Sequence, residues 1–179
     1  MEYQLGKKTI FLDRDGVINK EVHYLHKIDD FEFMTGIIEA CLYFQNLGYK
    51  LIVVTNQSGI SRGYYSESDY QTLNQWMLNE FENNHINILD VFHCPHGPNS
   101  SCDCRKPNPG MFFEAKAKYN LDMTKSWMIG DKEVDVIAAN SAGIDNTILI
   151  RSSHRIDELN SNAKIILDSI QQLKQIITE

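Results

Sequence analysis

Two carboxylates, Asp13 and Asp15, stand two residues apart directly after a short apolar run at residues 9–12. Side chains alternate along a strand, so residues two apart point the same way, and these carboxylates could meet at one spot beyond a strand end. One carboxylate of such a pair could act as a nucleophile and the other as a general acid and base. For this pair alone, the alternative is an Asx turn that ends the strand.

Three further polar segments follow later apolar runs. The segment that begins at Thr55 offers hydroxyls, amides and backbone N–H groups that suit an oxyanion, although alone it could be a polar turn. Arg105 and Lys106 follow the third run. Asp131 and Asp135 follow the fourth and share one face of a predicted helix; alternatively, their charges only favour its N-terminus. Together the four segments indicate phosphoryl transfer, which depends on positioning and charge neutralisation.

Three cysteines and a histidine form a compact group, Cys94-x-His96 and Cys102-x-Cys104. Three thiolates and one imidazole are a complete tetrahedral set for zinc. The alternative is three free cysteines in a surface loop, but free cysteine prefers burial and this loop contains little apolar material. Because all four positions would be ligands, the predicted zinc is structural. Lys106 follows Cys104 by two residues, so a loop folded on zinc would fix the lysine in place.

Apolar runs and helical stripes alternate along the chain, which indicates a parallel sheet covered by helices on both faces. We expect an α/β fold, a three-layer sandwich with a mainly parallel, Rossmann-like sheet and a zinc-binding loop insertion, formed by a single domain over residues 1–179. Ligands bind beyond the carboxyl ends of the strands in such sheets. The predicted strands lie at 9–12, 51–54, 88–92, 127–129, 147–150 and 164–167, and the predicted helices at 37–47, 66–83, 109–119, 133–142 and 169–177.

The composition is that of an ordinary globular protein. Of 179 residues, 42% are hydrophobic and 23% are charged, which excludes disorder as the main state. The formal net charge of −7, with no basic stripe, argues against nucleic acid as a partner. No apolar stretch approaches the length of a membrane span. We expect a cytoplasmic protein, since the N-terminal residues contain no signal-type segment, and a monomer, since one sheet uses all the helix stripes.

The four polar segments match, in order, the four motifs of the haloacid-dehalogenase superfamily of phosphohydrolases, and the resemblance spans residues 11–135. The sequences DRDGVIN, TNQSGISRGYY and CRKPNPGM, with the cysteine–histidine loop, narrow it to the D-glycero-D-manno-heptose-1,7-bisphosphate 7-phosphatase group. The alternative is the related group of histidinol-phosphate phosphatases. One departure from the heptose group is the short segment between the two zinc pairs. The residues that match the motifs are Asp13-x-Asp15, Thr55, Lys106 and Gly130-Asp131.

This resemblance implies Mg²⁺-dependent removal of the 7-phosphate of a sugar bisphosphate, in nucleotide-activated heptose synthesis. Asp13 would attack phosphorus to give an aspartyl-phosphate, and Asp15 would protonate the leaving oxygen and then accept a proton from water. Mg²⁺ would bind to Asp13, Asp131 and the backbone carbonyl of Asp15. Thr55 and Lys106 would bind the phosphoryl oxygens and stabilise them while negative charge moves during the reaction.

The resemblance also implies a set of substrate contacts. Arg105 stands out because arginine binds phosphate bidentately and a bisphosphate carries a second phosphate; the alternative is a solvated basic residue. Asp135 is expected outside the direct ligands of Mg²⁺. No cap domain is expected, because only residues 16–36 separate the first motif from the first helix. The other expected contacts are Arg14, Glu21, Val22, His23, Tyr24, Asn56, Gln57, Ser58 and Lys132.

Two other classes of protein use some of these features. A phosphorylatable receiver domain also has an aspartate at a sheet end, Mg²⁺ and a lysine, but it has no second aspartate two residues later and no such zinc loop. A zinc-based interaction module is the other class. It would tolerate the loss of Asp13 and Asp15, because neither is a zinc ligand.

Overall fold

Six strands form one sheet in the computed structural model, which describes residues 6–178. The strands are β1 (Thr9–Leu12), β2 (Lys50–Asn56), β3 (Ile88–Cys94), β4 (Trp127–Gly130), β5 (Asn146–Ile150) and β6 (Ile165–Leu167). Their order across the sheet is β3-β2-β1-β4-β5-β6, and each neighbouring pair runs parallel. The predicted α/β fold with a parallel sheet is confirmed.

Four helices connect strands within residues 6–178, and α5 follows the last strand. They are α1 (Ile37–Asn46), α2 (Glu67–Asn83), α3 (Gly110–Tyr119), α4 (Glu133–Ser141) and α5 (Leu173–Ile176). Ser66 begins α2 with a capping box, in which its hydroxyl accepts from the Asp69 N–H and the Asp69 carboxylate accepts from the Ser66 N–H. The predicted C-terminal helix is shorter than expected. A capping box at Ser169 starts a 3-10 turn, Ile170–Gln172, and only the four residues of α5 are α-helical.

Alternate strand residues pack into two hydrophobic cores, one on each face of the sheet. Ile10 and Leu12 of β1 belong to a core with residues of α1, α2 and α5, whereas Phe11 between them belongs to a core with residues of α3 and α4. The result is three layers, helices over sheet over helices. Burial on both faces explains why the strands are continuous apolar runs. Among residues 6–178, no helix combines the length and apolar character needed to cross a bilayer.

The chain connections change direction at the middle of the sheet, between the neighbouring strands β1 and β4. In an open parallel sheet, this point leaves a crevice beyond the carboxyl ends of the strands, where ligands bind. Asp13 follows β1 there, and its backbone N–H donates to the carbonyl of Ile129 in β4 at 3.0 Å. Asp131 follows β4. Residues 13–36, between β1 and α1, contain a single short 3-10 turn, Ile28–Asp30, so the crevice stays open.

Candidate active site

Asp13 is buried and paired with the predicted lysine. Lys106 Nζ lies 3.0 Å from Asp13 Oδ1, and the backbone N–H of Arg14 donates to the same oxygen at 2.9 Å. Burial raises the pKa of Asp13, against the opposing charge of Lys106. Within residues 6–178, Oδ2 accepts no hydrogen bond. One oxygen of Asp13 is therefore anchored, and the other is left for a ligand or a reaction.

Lys106 is surrounded by acceptors. Its Nζ lies 3.0 Å from Asp13 Oδ1, 2.6 Å from Asp135 Oδ1 and 2.8 Å from the Val54 carbonyl oxygen. Burial alone would lower the pKa of Lys106, but the pairs with Asp13 and Asp135 raise it, so the ammonium stays charged. The backbone is also held, because the Asn56 side chain donates to the Lys106 carbonyl and accepts from its N–H, both at 3.0 Å.

Three buried carboxylates, those of Asp13, Asp131 and Asp135, have oxygens within 4.8 Å of one another. Asp131 Oδ2 accepts from the Ser152 hydroxyl at 2.8 Å, whereas Oδ1 is buried and has no hydrogen-bond partner within residues 6–178. Burial raises the pKa of Asp131 to about 6, although Lys132 opposes the rise. An orphaned oxygen beside two further carboxylates fits a hard divalent cation, because such cations prefer oxygen ligands.

Gly16 is required at the edge of this acid cluster. Its φ is +87°, and a Cβ atom at this position would lie 2.2 Å from Asp131 Oδ2. Any side chain would therefore displace the Asp131 carboxylate and strain the backbone as well. The glycine that follows the Asp13-x-Asp15 pair thus allows the loop after β1 to pass directly against Asp131.

The second carboxylate of the predicted pair, Asp15, is held by donors from three side chains. Arg14 Nη2 contacts its two oxygens at 3.0 and 3.1 Å, Asn19 Nδ2 donates at 3.1 Å and Gln57 Nε2 donates at 3.1 Å. Gln57 Nε2 also donates to Thr55 Oγ1 at 2.9 Å. The guanidinium of Arg14 is buried against Asp15, so this residue acts on the carboxylate rather than at the surface.

A cavity of about 350 Å³ opens above these groups. Two of its lining residues are in contact, since Lys132 Nζ lies 3.5 Å from Glu21 Oε2. A third, Arg105, donates from Nη1 to the His96 carbonyl at 3.1 Å. The predicted site residues that line the cavity are Asp13, Asp15, Glu21, Val22, His23, Tyr24, Asn56, Gln57, Ser58, Arg105, Lys106 and Lys132.

The cysteine–histidine group comes together beside this cavity. Cys94 Sγ lies 3.7 Å from Cys102 Sγ and 2.9 Å from Cys104 Sγ, and His96 Nδ1 lies 3.5 and 3.3 Å from the sulfurs of Cys94 and Cys104. Sulfurs bound at ~2.3 Å to one tetrahedral ion stand roughly 3.8 Å apart. The Cys94–Cys102 pair matches this spacing and the Cys94–Cys104 pair is closer, so the four ligand atoms are gathered at one point and the Cys94 and Cys104 sulfurs would have to separate to admit an ion.

The thiols of this group differ in acidity. Partial burial acts to raise the pKa of Cys102, but the backbone N–H of Arg105 and neighbouring polar groups lower it to about 6. In contrast, burial raises the pKa of Cys94. Because the thiolate is the form that binds metal, a metal at this group would meet Cys102 as a thiolate and would displace the proton of Cys94.

Curated relatives match almost the whole chain. A D-glycero-alpha-D-manno-heptose-1,7-bisphosphate 7-phosphatase of Photorhabdus laumondii is 45% identical over 177 residues, which cover 95% of this chain and 96% of that protein. A D-glycero-beta-D-manno-heptose-1,7-bisphosphate 7-phosphatase of Haemophilus ducreyi is 42% identical, over 94% of this chain and 97% of that protein. The chain belongs to the heptose-1,7-bisphosphate 7-phosphatase family.

A solved structure of this phosphatase family supports the same assignment. D,D-heptose 1,7-bisphosphate phosphatase from B. bronchiseptica, complexed with magnesium and phosphate, superposes with a TM-score of 0.81 at 27% identity and covers 95% of this chain and 99% of that chain. A family model described as HAD-hydrolase-like matches residues 103–173. The protein is therefore a phosphoric monoester hydrolase with the fold that its motifs predicted.

The sequence singled out Asp135 only as a residue near the metal, and the structure adds that it lines the cavity and pairs with Lys106. Two other residues, Tyr65 and Ser152, were not singled out at all. Tyr65 lines the cavity inside the segment TNQSGISRGYY, where its aromatic ring favours a core role. Ser152 follows β5 at the same sheet edge as the four motifs. A polar residue after a fifth predicted strand was therefore the one sequence feature that could have identified it.

Three predicted residues, Arg14, Thr55 and Asp131, are buried and do not line the cavity. Arg14 contacts Asp15, Thr55 accepts from Gln57, and Asp131 lies in the acid cluster with Asp13 and Asp135. The predicted roles of these residues, like those of the other site residues, stay predictions.

Proposed function

We propose that this phosphatase hydrolyses the 7-phosphate of D-glycero-D-manno-heptose 1,7-bisphosphate, in nucleotide-activated heptose synthesis. The observation that supports this most is the near-complete match, at 42–45% identity, to proteins named for that reaction. The site supports it independently, because all four motif segments converge on one cavity that is open enough for a phosphorylated sugar. Residues 1–179 form one phosphatase domain in this proposal.

The nucleophile in this reaction is Asp13. Its free oxygen, Oδ2, forms a bond to phosphorus while the bond between phosphorus and the sugar oxygen breaks, which leaves an aspartyl-phosphate. Asp15 gives a proton to the departing sugar oxygen and then takes one from the water that hydrolyses the aspartyl-phosphate. The Lys106 ammonium and the Thr55 hydroxyl hold the phosphoryl oxygens during both steps.

The catalytic metal in this proposal is Mg²⁺, held by Asp13, Asp131 and the backbone carbonyl of Asp15. When bound, it supplies positive charge between an anionic nucleophile and an anionic phosphate. The contacts of Asp135 favour a place outside the direct ligands. Its Oδ1 pairs with Lys106, and its Oδ2 accepts from the backbone N–H groups of Asp131 and Lys132 at 3.2 and 3.1 Å.

A structural zinc ion occupies the cysteine–histidine group in this proposal, bound by Cys94, His96, Cys102 and Cys104. We place the enzyme in the cytoplasm, since a reducing compartment keeps the three thiols available for metal. We also propose that it is a monomer.

The second phosphate of the substrate binds to Arg105, with Lys132 across the cavity as its partner. The Arg105 guanidinium is already tethered by the His96 carbonyl, so it is held beside the cavity before substrate arrives. A prepositioned guanidinium can bind phosphate bidentately at a reduced cost in side-chain freedom.

The deciding experiment measures phosphate release from both anomers of the heptose bisphosphate and from histidinol phosphate. We expect heptose 1-phosphate as the product and a much lower rate on histidinol phosphate. Asp13→Asn should abolish turnover, because an amide cannot attack phosphorus. The matched control is Asp29→Asn, the same substitution at an exposed position. Full activity of the Asp13 variant, or a preference for histidinol phosphate, would contradict the proposal.

A further inference from the structure

Tyr65 has a fixed position beside the acid–base carboxylate. Its side chain is 6% exposed, and its hydroxyl donates to Gln57 Oε1 at 2.6 Å. The ring is stacked on His26, with centroids 5.2 Å apart and planes 12° from parallel. The ring also packs against Gly59, where a Cβ atom would lie 2.1 Å from Tyr65 Cε1. The hydroxyl therefore cannot leave Gln57 without a rearrangement of the loop after β2.

The contacts of Gln57 allow its side-chain amide a single orientation. The oxygen faces two donors, the Tyr65 hydroxyl at 2.6 Å and Arg14 Nη2 at 3.4 Å. The nitrogen faces Asp15 Oδ2 at 3.1 Å and Thr55 Oγ1 at 2.9 Å. A guanidinium only donates and an ionised carboxylate only accepts, so the flipped amide would set donor against donor and acceptor against acceptor.

This orientation determines what Asp15 and Thr55 can do. Gln57 Nε2 gives Asp15 Oδ2 a neutral donor, which holds the carboxylate plane without adding charge. Because Thr55 Oγ1 accepts from the same nitrogen, its own hydrogen is available to a phosphoryl oxygen. The proton-transfer group and the hydroxyl donor thus share one amide, whose orientation Arg14 and Asp15 determine and whose oxygen end Tyr65 holds in place through the 2.6 Å hydrogen bond.

We infer that Tyr65 is a positioning residue for the hydrolysis, which acts through Gln57 to orient Asp15 and Thr55. The inference rests on the proposed function, since it takes Asp15 as the acid that protonates the leaving oxygen. It predicts a specific kinetic signature. A badly placed acid slows the loss of a poor leaving group more than that of a good one, whereas general loss of packing slows both equally.

The test compares kcat/KM for phenyl phosphate, a poor leaving group, with that for p-nitrophenyl phosphate, a good one. This parameter covers the steps up to phosphoryl transfer to Asp13. Tyr65→Phe removes one neutral hydrogen bond, so we expect a loss of about 3- to 10-fold on phenyl phosphate and a clearly smaller loss on the nitrophenyl ester. Tyr64→Phe is the matched control, since that neighbouring ring is 56% exposed, and it should leave both rates unchanged.

Two further variants make the outcome decisive. With Gln57→Met already present, Tyr65→Phe should cause no further loss on either ester, because the two residues act in series. Equal losses on both esters in Tyr65→Phe, or additive effects in the double variant, would overturn the inference. Asp15→Asn should show the same selective loss in stronger form. If it does not, the acid role in the proposed function fails and the inference fails with it; if Asp15→Asn shows the loss and Tyr65→Phe does not, only the inference fails.

Discussion

Without Mg²⁺, the contribution of Asp131 to the stability of the enzyme should fall as the pH rises, because the protein buries this carboxylate next to other acids. Asp131 is 0% exposed, and burial raises its pKa to about 6. In an unfolded chain, the pKa of an aspartate is about 3.9. The folded protein therefore holds this proton more tightly, and the resulting stability is present at low pH and lost as the pH rises through about 6. A difference of about 2 pKa units corresponds to ~3 kcal/mol.

The measurement is the free energy of unfolding in urea, for wild type and Asp131→Asn, with Mg²⁺ removed by dialysis. An asparagine resembles the protonated carboxyl group, so the two proteins should agree near about pH 4. By about pH 7, Asp131→Asn should be the more stable by ~3 kcal/mol, since only wild type then carries the buried charge. The difference between the two proteins cancels the titration of groups far from Asp131, whereas coupled neighbours such as Asp13 contribute to it.

Added Mg²⁺ should reverse this order. A ligand that binds only the folded state stabilises it by mass action, and wild type offers the cation one more carboxylate. The gain from millimolar Mg²⁺ should therefore be larger for wild type than for Asp131→Asn, and larger at neutral than at acidic pH. Parallel pH curves for the two proteins would refute the buried-charge reasoning. Equal gains from Mg²⁺ would show that the cation does not bind at Asp131.

Three further predictions concern groups around the cavity. Lys106→Met leaves Asp13 and Asp135 without their shared cation, so urea melts should show a loss of about 3–5 kcal/mol; unchanged stability would mean that the carboxylates are not charged together. Cys102→Ser should lower zinc content, measured by mass spectrometry, and lower turnover while circular dichroism keeps its helical signal; zinc loss with full turnover would separate the loop from Lys106. Arg105→Ala should reduce kcat/KM about 10- to 150-fold on the heptose bisphosphate and little on an aryl phosphate; equal losses would exclude a role with the second phosphate.

The layers of the fold could be predicted from the sequence because both faces of the sheet are buried. Continuous apolar runs then indicate strands, and the stripe that begins at Ile37 indicates a helix. The prediction of the C-terminal helix was less accurate. Its apolar positions, Ile170 and Leu173, are buried as expected, but a stripe this short fits a 3-10 turn followed by one helical turn equally well.

The positions of the motif residues could also be predicted, since parallel strands bring their carboxyl ends to one edge. The partners of these residues could not. Arg14 is expected to contact substrate, and the structure adds that its guanidinium pairs with Asp15, because a buried guanidinium needs acceptors. Ser152 reaches Asp131 only because β5 lies next to β4. Contacts of this kind depend on which strands are neighbours, and no local pattern in the sequence records that.

The position of Lys106 is unusual because the segment that carries it has no secondary structure of its own. Residues 95–109 contain neither helix nor strand, so this lysine belongs to no element that would fix its backbone. Three restraints hold it instead: the Asn56 side chain on its backbone, the cysteine–histidine group two residues before it and the acceptors around its ammonium group. The first two restraints fix the backbone of the loop, and the third fixes the ammonium group. A metal in the cysteine–histidine group would then hold this loop in place, as the hydrophobic core holds the sheet in place. A hydrophobic core could not serve here, because it would separate the charged lysine from its substrate.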